Sequence, residues 1–198
     1  MRASTRREFV AGPAGRIECA VDEPQGEKRG VALIAHPHPL FGGTLDNKVV
    51  QTLARAFVEL GYQAWRPNFR GVGETEGTHD EGRGELEDLA AVLSGIRTEK
   101  FILAGFSFGA SLAAKLAERQ TPEWLVLVGV GITRIMAPPV APGTLVIHGE
   151  LDDTVPLAAV LDWARPQELP VVVVPGADHY FHRKLPILKA LVQRNAKC

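Results

Sequence analysis

Two cysteines in 198 residues, Cys19 and Cys198, are too few and too far apart for a disulfide framework. They read as one thiol buried in a strand and one in the tail of a protein from a reducing compartment. Neither sign of charge is in excess: 22 basic against 23 acidic residues give a formal net charge of −1, with no long block of either. That excludes a nucleic-acid footprint and a polybasic membrane patch. No window reaches 18 uninterrupted apolar residues, so no transmembrane helix is expected. The basic start, residues 1–8, has no apolar stretch behind it and does not read as a secretion signal. Internal repeats, low-complexity tracts and domain linkers are lacking too. The expectation is a soluble cytoplasmic protein of one globular domain, residues 1–198, 45% hydrophobic and large enough for a substantial core. Monomer and homodimer both remain open.

Serine is scarce, with four in the chain, and one of them stands in its most informative stretch. Residues 101–114 open as an apolar run behind Glu99 and Lys100, which reads as a buried strand, and close as an Ala-rich run, which reads as a tightly packed helix. Between them Gly105-x-Ser107-x-Gly109 leaves no room for a loop. A strand that becomes a helix so abruptly must turn sharply, and glycines on either side remove the Cβ atoms that would clash. Ser107 then sits strained at the apex with its hydroxyl above the sheet edge.

The rest of the chain alternates strands and helices. Residues 8–11 and 16–21 flank Gly12-Pro13-Ala14-Gly15 as a hairpin, and 31–35 is a continuous apolar run of the kind buried on both faces of a parallel sheet. Asp46 is the expected cap of a helix carrying Val49, Val50, Leu53, Ala54, Phe57 and Leu60, which Gly61 stops. Further strands are expected at 62–65, 124–130, 145–147 and 171–174, and helices around 86–96, 156–164 and 183–194. The aperiodic loop from 70 to 84 is long enough to be either functional or mobile. This pattern predicts a three-layer α/β/α sandwich around a mostly parallel twisted sheet of about eight strands. Ligands bind such sheets beyond the carboxyl ends of the strands, where the polar punctuation of this chain falls.

A serine hydroxyl needs a general base to become a nucleophile, and the base needs an acid to fix its tautomer. The candidate base is His179, in Pro175-Gly176-Ala177-Asp178-His179-Tyr180-Phe181 after the last strand, and the candidate acid is Asp152, in the loop after the preceding one. The order Ser107, Asp152, His179 is that of the α/β-hydrolases and of neither serine-protease order.

By these residues the chain resembles the α/β-hydrolase superfamily over nearly its whole length. The string His148-Gly149-x-x-Asp152-x-x-Val155-Pro156 is similar to that superfamily's acid loop and singles out Asp152 over Asp153. Gly176-Ala177-Asp178-His179 is similar to its histidine loop and singles out His179 over His182. Residues 68–73, Asn-Phe-Arg-Gly-Val-Gly, resemble a turn found after its fourth strand. Residues 36–44 with Asp46-Asn47-Lys48 resemble a group of small, lid-less bacterial hydrolases close to dienelactone hydrolases, mostly inferred to be esterases. One oxyanion-hole donor is then the Phe108 N–H, at a helix N-terminus where the dipole favours negative charge. The second is expected from the loop after 31–35. Pro37 and Pro39 carry no N–H, which leaves His38, the favoured choice, or Leu40.

The other polar residues have plainer readings. His36 and His38 lie two apart but lack further ligands at metal spacing, so no metal and no other cofactor is expected. His148 is expected to bond within its turn, His79 to be solvated, Ser111 to pack, and Arg70 to be structural or to steer anions. Only about a dozen residues, 131–143, join two strands where relatives insert lids, so the cleft should be open. Leu40, Phe41, Phe106, Ile132, Met136, Tyr180 and Phe181 are the expected lining of a modest pocket. The implied activity is a serine carboxylesterase acting on small to medium soluble esters through an acyl-enzyme. The alternatives are a thioesterase, lactonase or peptidase with the same residues, or a catalytically silent binder of small molecules.

Overall fold

The computed structural model describes residues 5–96, 98–132 and 135–196, so Cys198, expected as the tail thiol, lies outside the described residues. The strands are β1 (Thr5–Gly12), β2 (Gly15–Asp22), β3 (Gly30–Ala35), β4 (Tyr62–Pro67), β5 (Phe101–Phe106), β6 (Trp124–Val128), β7 (Leu145–Gly149) and β8 (Val171–Val174). The helices are α1 (Lys48–Glu59), α2 (Arg83–Ile96), α3 (Phe108–Arg119), α4 (Leu157–Ala164) and α5 (Leu185–Asn195). One sheet takes all eight strands in the order β1-β2-β4-β3-β5-β6-β7-β8. The β1–β2 hairpin is antiparallel and joins β4 antiparallel, while β4, β3 and β5 to β8 run parallel.

The central strands are apolar on both sides because both faces are covered. Leu33, Leu103, Leu125 and Leu127 turn to the face packed by α2, α3 and α4. Ile34, Ile102, Ala104, Phe106 and Val126 turn to the face packed by α1 and α5. Ala35 pairs with Gly105, and Gly105 with Leu127, so three neighbouring strands end level and release their loops along one edge.

Three of the boundaries that differ from the sequence reading do so for plain local reasons. Helix α1 is capped by Asn47, not Asp46: Asn47 Oδ1 accepts from the N–H groups of Val49 (2.9 Å) and Val50 (3.4 Å). Asp46 instead meets Arg7 at 3.2 Å. Strand β6 stops at Val128 because Gly129 turns the chain at φ +53°. Strand β7 runs on to Gly149, which carries His148 into the sheet.

The 70–84 loop is tied down along its length. The Arg70 guanidinium donates to both Asp88 oxygens (2.8 and 2.7 Å) and to the Gly84 carbonyl (2.8 Å), a structural role. The fully buried Glu85 carboxylate accepts from the N–H groups of Asp80 (2.9 Å) and Gly82 (2.8 Å). His79, expected in solvent, lies 2.8 Å from the same carboxylate and stacks on His38, ring centres 4.8 Å apart. Cys19 is buried in β2, where burial pushes its thiol up to about 12.

Candidate active site

Ser107 joins β5 directly to α3 at φ +56°, ψ −119°, a backbone region that side chains rarely enter. The strain is held in place by surrounding bonds. Its N–H donates to Val128 O (2.9 Å), and its carbonyl accepts from Ala110, Ser111 and Gly131 at 3.0, 3.3 and 3.1 Å. Ser111, fully buried one turn on, donates its hydroxyl to the Gly131 carbonyl and so fixes the loop after β6 against the elbow. Helix α3 lies so close to β3 that a side chain at Gly109 would meet the Ala35 and His36 carbonyl oxygens at 2.4 Å.

The loops after β7 and β8 bring two more side chains to the same edge. His179 Nδ1 lies 2.7 Å from Asp152 Oδ2, and His179 Nε2 lies 3.1 Å from Ser107 Oγ. An ionised carboxylate only accepts, so Nδ1 carries the proton and Nε2 is left to accept from the serine hydroxyl. The other Asp152 oxygen accepts from the N–H groups of Thr154 (3.0 Å) and Val155 (2.7 Å). The His179 ring rests on Phe106, centres 4.8 Å apart, and meets Tyr180 edge to face at 5.2 Å. The neighbouring candidates stay outside this line: Asp153 is exposed, and His182 pairs with Asp178 at the surface (2.6 Å).

Two further histidines serve the framework. His36 is fully buried; its Nδ1–H donates to Pro37 O (2.6 Å) and its Nε2 accepts from Phe69 N–H (2.9 Å), which ties the loop after β3 to that after β4. Burial lowers its pKa to about 4. His148 bonds within its own turn, donating to Val155 O at 2.9 Å. Among the described residues no group of three His, Cys, Asp or Glu side chains is assembled as a metal ion would need.

Ser107 and His179 open onto a cleft of about 300 Å³ walled by His38, Phe41, Phe108 and Tyr180. Phe106 and Phe181 do not line it; both pack into the α1/α5 side of the core, Phe106 because strand alternation places it with Ala104 and Ile102. Ile132 packs on the opposite core, and Leu40 and Met136 are exposed beside the cleft's walls rather than in them. Pro37, Gly131, Ile135, Thr154 and Val155 complete the lining, and none of them is among the lining residues expected from the sequence. Thr154 and Val155 were legible in principle, since the acid loop that carries Asp152 must face the same edge. The Leu40 N–H donates to the His38 ring (3.3 Å), and Phe108 is the first residue of α3. A larger groove of about 1140 Å³ runs between α1 and the β1–β2 hairpin. Its charges pair with each other, Arg66 with Asp22 and Arg7 with Asp46, and no serine, cysteine or histidine among the described residues lines it.

Comparison with known proteins gives a consistent result. The alpha/beta hydrolase family matches residues 33–145. An alpha-beta serine hydrolase homologue from Coxiella burnetii superposes with a TM-score of 0.90 at 38% identity, covering 100% of both chains. A serine hydrolase without lid from Xanthomonas campestris gives 0.88 at 34% identity over 98% of this chain and 94% of that one. An uncharacterised protein of Rickettsia prowazekii is 32% identical over 89% of this chain and 82% of its own length. Fold, loop positions and sequence likeness therefore agree, and the chain belongs to the alpha/beta hydrolase family.

Proposed function

We propose that this protein is a serine hydrolase that cleaves small to medium carboxylic esters through an acyl-enzyme. The observation that carries the reading is the unbroken line Ser107 Oγ, His179 Nε2, His179 Nδ1, Asp152 Oδ2, with steps of 3.1 and 2.7 Å between side chains. Ser107 attacks the carbonyl carbon while its proton passes to His179 Nε2. Asp152 stabilises the imidazolium that results, and the carbonyl oxygen becomes an oxyanion. The Phe108 N–H at the start of α3 is one donor to it, helped by the helix dipole. We assign the second to the His38 backbone N–H, because the Leu40 N–H already donates to the His38 ring. Collapse of the intermediate breaks the bond to the alcohol oxygen, which takes the proton from His179. Water, deprotonated by the same imidazole, then attacks the acyl carbon and releases the acid and Ser107.

The size of the cleft and the short connection between β6 and β7 favour compact substrates that reach the serine from open water. Its aromatic and aliphatic walls favour an acyl or alcohol group of modest length.

The test is reaction with a fluorophosphonate, read as a mass shift on the peptide holding Ser107. Stoichiometric labelling in the native protein and none in Ser107→Ala is the expected result. A panel of aryl esters, thioesters, lactones and aminoacyl amides, each run against that variant, identifies the bond cleaved. An unlabelled serine would sink the enzyme reading and leave a silent binder.

A further inference from the structure

Behind the triad acid lies a second imidazole that the mechanism above leaves unused. His148, near the end of β7, is fully buried. Its Nε2 is 2.9 Å from the Val155 carbonyl oxygen and 3.5 Å from Asp152 Oδ2. A carbonyl only accepts, so Nε2 carries the ring's proton. The Val155 N–H donates to Asp152 Oδ1 at 2.7 Å. One residue, Val155, is therefore gripped on both sides of its Cα, its carbonyl oxygen by His148 and its N–H by the carboxylate that orients His179.

The remaining nitrogen, Nδ1, is buried without a hydrogen-bond partner among the described residues. An unsatisfied polar atom in the interior is costly, and a leucine would fill the space without that cost.

We propose that His148 is a positioning residue of the catalytic triad: through the backbone of Val155 it fixes the Asp152 carboxylate, and its N–H dipole limits how strongly that carboxylate holds the His179 imidazolium. The proposal rests on the triad reading given above. Among the described residues, the charged and titratable groups that face the His148 ring are Asp152, on the loop that follows β7, and His179, from the loop after β8. Burial holds the proton affinity of His148 down, so the ring remains a neutral donor while the triad works. A donor beside a carboxylate disperses its negative charge. Removing that donor makes Asp152 a stronger partner for protonated His179, and the base then needs a higher pH to become free.

The experiment compares His148→Leu, which deletes the donor, with His148→Gln, whose amide keeps an N–H in the same place. The pH dependence of kcat/KM and of fluorophosphonate labelling is read for both. His148→Leu is expected to move the acid limb upward by about half a pH unit and to lower kcat about tenfold with KM little changed. His148→Gln is expected to restore the limb. A limb that stays in place in a folded His148→Leu, or shifts equally in both variants, overturns the proposal. Should neither variant fold, ¹⁵N NMR of the wild-type histidine rings decides. A slowly exchanging proton on His148 Nε2 from about pH 5 to 8 upholds the assignment, and a proton on Nδ1 overturns it. Failure of Ser107 to label in the wild type overturns the triad reading itself, an outcome distinct from any of these.

Discussion

A methyl group on the Cα of Gly105 would stand 2.3 Å from the carbonyl oxygen of Gly109. The two glycines of the elbow are thus needed for close approach, while the unusual backbone angle falls on Ser107 between them, at φ +56°. Strand β5 and the first turn of α3 touch through bare backbone, and the serine is squeezed outward as a consequence. Gly105→Ala and Gly109→Ala are each expected to lower stability by about 1–3 kcal/mol or more, because the atoms they meet are backbone and cannot step aside. Urea unfolding measures the loss, and labelling of Ser107 should fall with it. Unchanged stability and labelling in Gly105→Ala would mean that the elbow is looser than these contacts require.

Asp152 and Asp153 are adjacent in sequence and opposite in environment. Asp152 is 7% exposed and takes its hydrogen bonds from Thr154, Val155 and His179, whereas Asp153 faces water. Asp152→Asn should lower kcat by about 10³–10⁴ with a much smaller change in KM, since the amide fails to hold His179 in the working tautomer. Asp153→Asn should stay within about twofold of the wild type. Steady-state kinetics on an aryl ester checks both, and a reversed ranking would move the acid to the other residue.

The His36 ring gives the fold an acid-sensitive clasp. Its pKa is lowered to about 4 by complete burial, against an ordinary value near 6.5. The unfolded chain therefore takes up the proton first as the pH falls. The contribution to stability is complete above about 6.5 and is lost on the way down towards 4, at about 1.4 kcal/mol per pH unit, or about 3 kcal/mol in all. Urea midpoints taken between pH 7.5 and 4.5 should fall along this slope. In His36→Gln the protein should start less stable, having lost its bonds to Pro37 and Phe69, but respond less steeply to acid. Equal slopes in the two proteins would assign the acid sensitivity elsewhere.

How much of this was legible in the sequence follows from which forces are local. The buried strands were readable because parallel strands covered on both faces must be apolar throughout, as in Val31-Ala32-Leu33-Ile34-Ala35. The three residues in line at the sheet edge were readable because each stands in a short string set by its own turn. The lining of the cleft was not, because hydrophobic character alone does not say which way a ring faces. The sequence places Phe106 in the pocket, yet alternation along β5 sends it to the α1/α5 side of the core. His79 looked solvated among Asp80 and Glu81, and only the folded loop reveals that Glu85 lies beside it. The cap of α1 falls one residue beyond the expected Asp46, since Asp46 and Asn47 are equally good caps and the contact of Asp46 with Arg7, 39 residues away, is long-range.

The tether of the 70–84 loop gives a last expectation, and it turns on burial rather than on the number of ion pairs. Arg70 and Asp88 have side chains only 11% and 4% exposed, while the Arg165–Asp162 pair on α4 and its following turn is 70% exposed on both sides. Removing one partner of a buried pair strands the other charge away from water, which costs about 3 kcal/mol, whereas an exposed pair contributes about 0–1. Arg70→Ala should therefore lower the urea midpoint sharply and expose the loop to proteolysis, and Arg165→Ala should barely move it. The loop carries His79 against His38 at the mouth of the cleft, so ester turnover should fall in Arg70→Ala even at temperatures where the protein remains folded. Replacing both partners, Arg70→Met with Asp88→Leu, removes the stranded charge and should recover most of the stability. If Arg70→Ala proved as mild as Arg165→Ala, the loop would be held by its backbone bonds to Glu85 and not by the guanidinium.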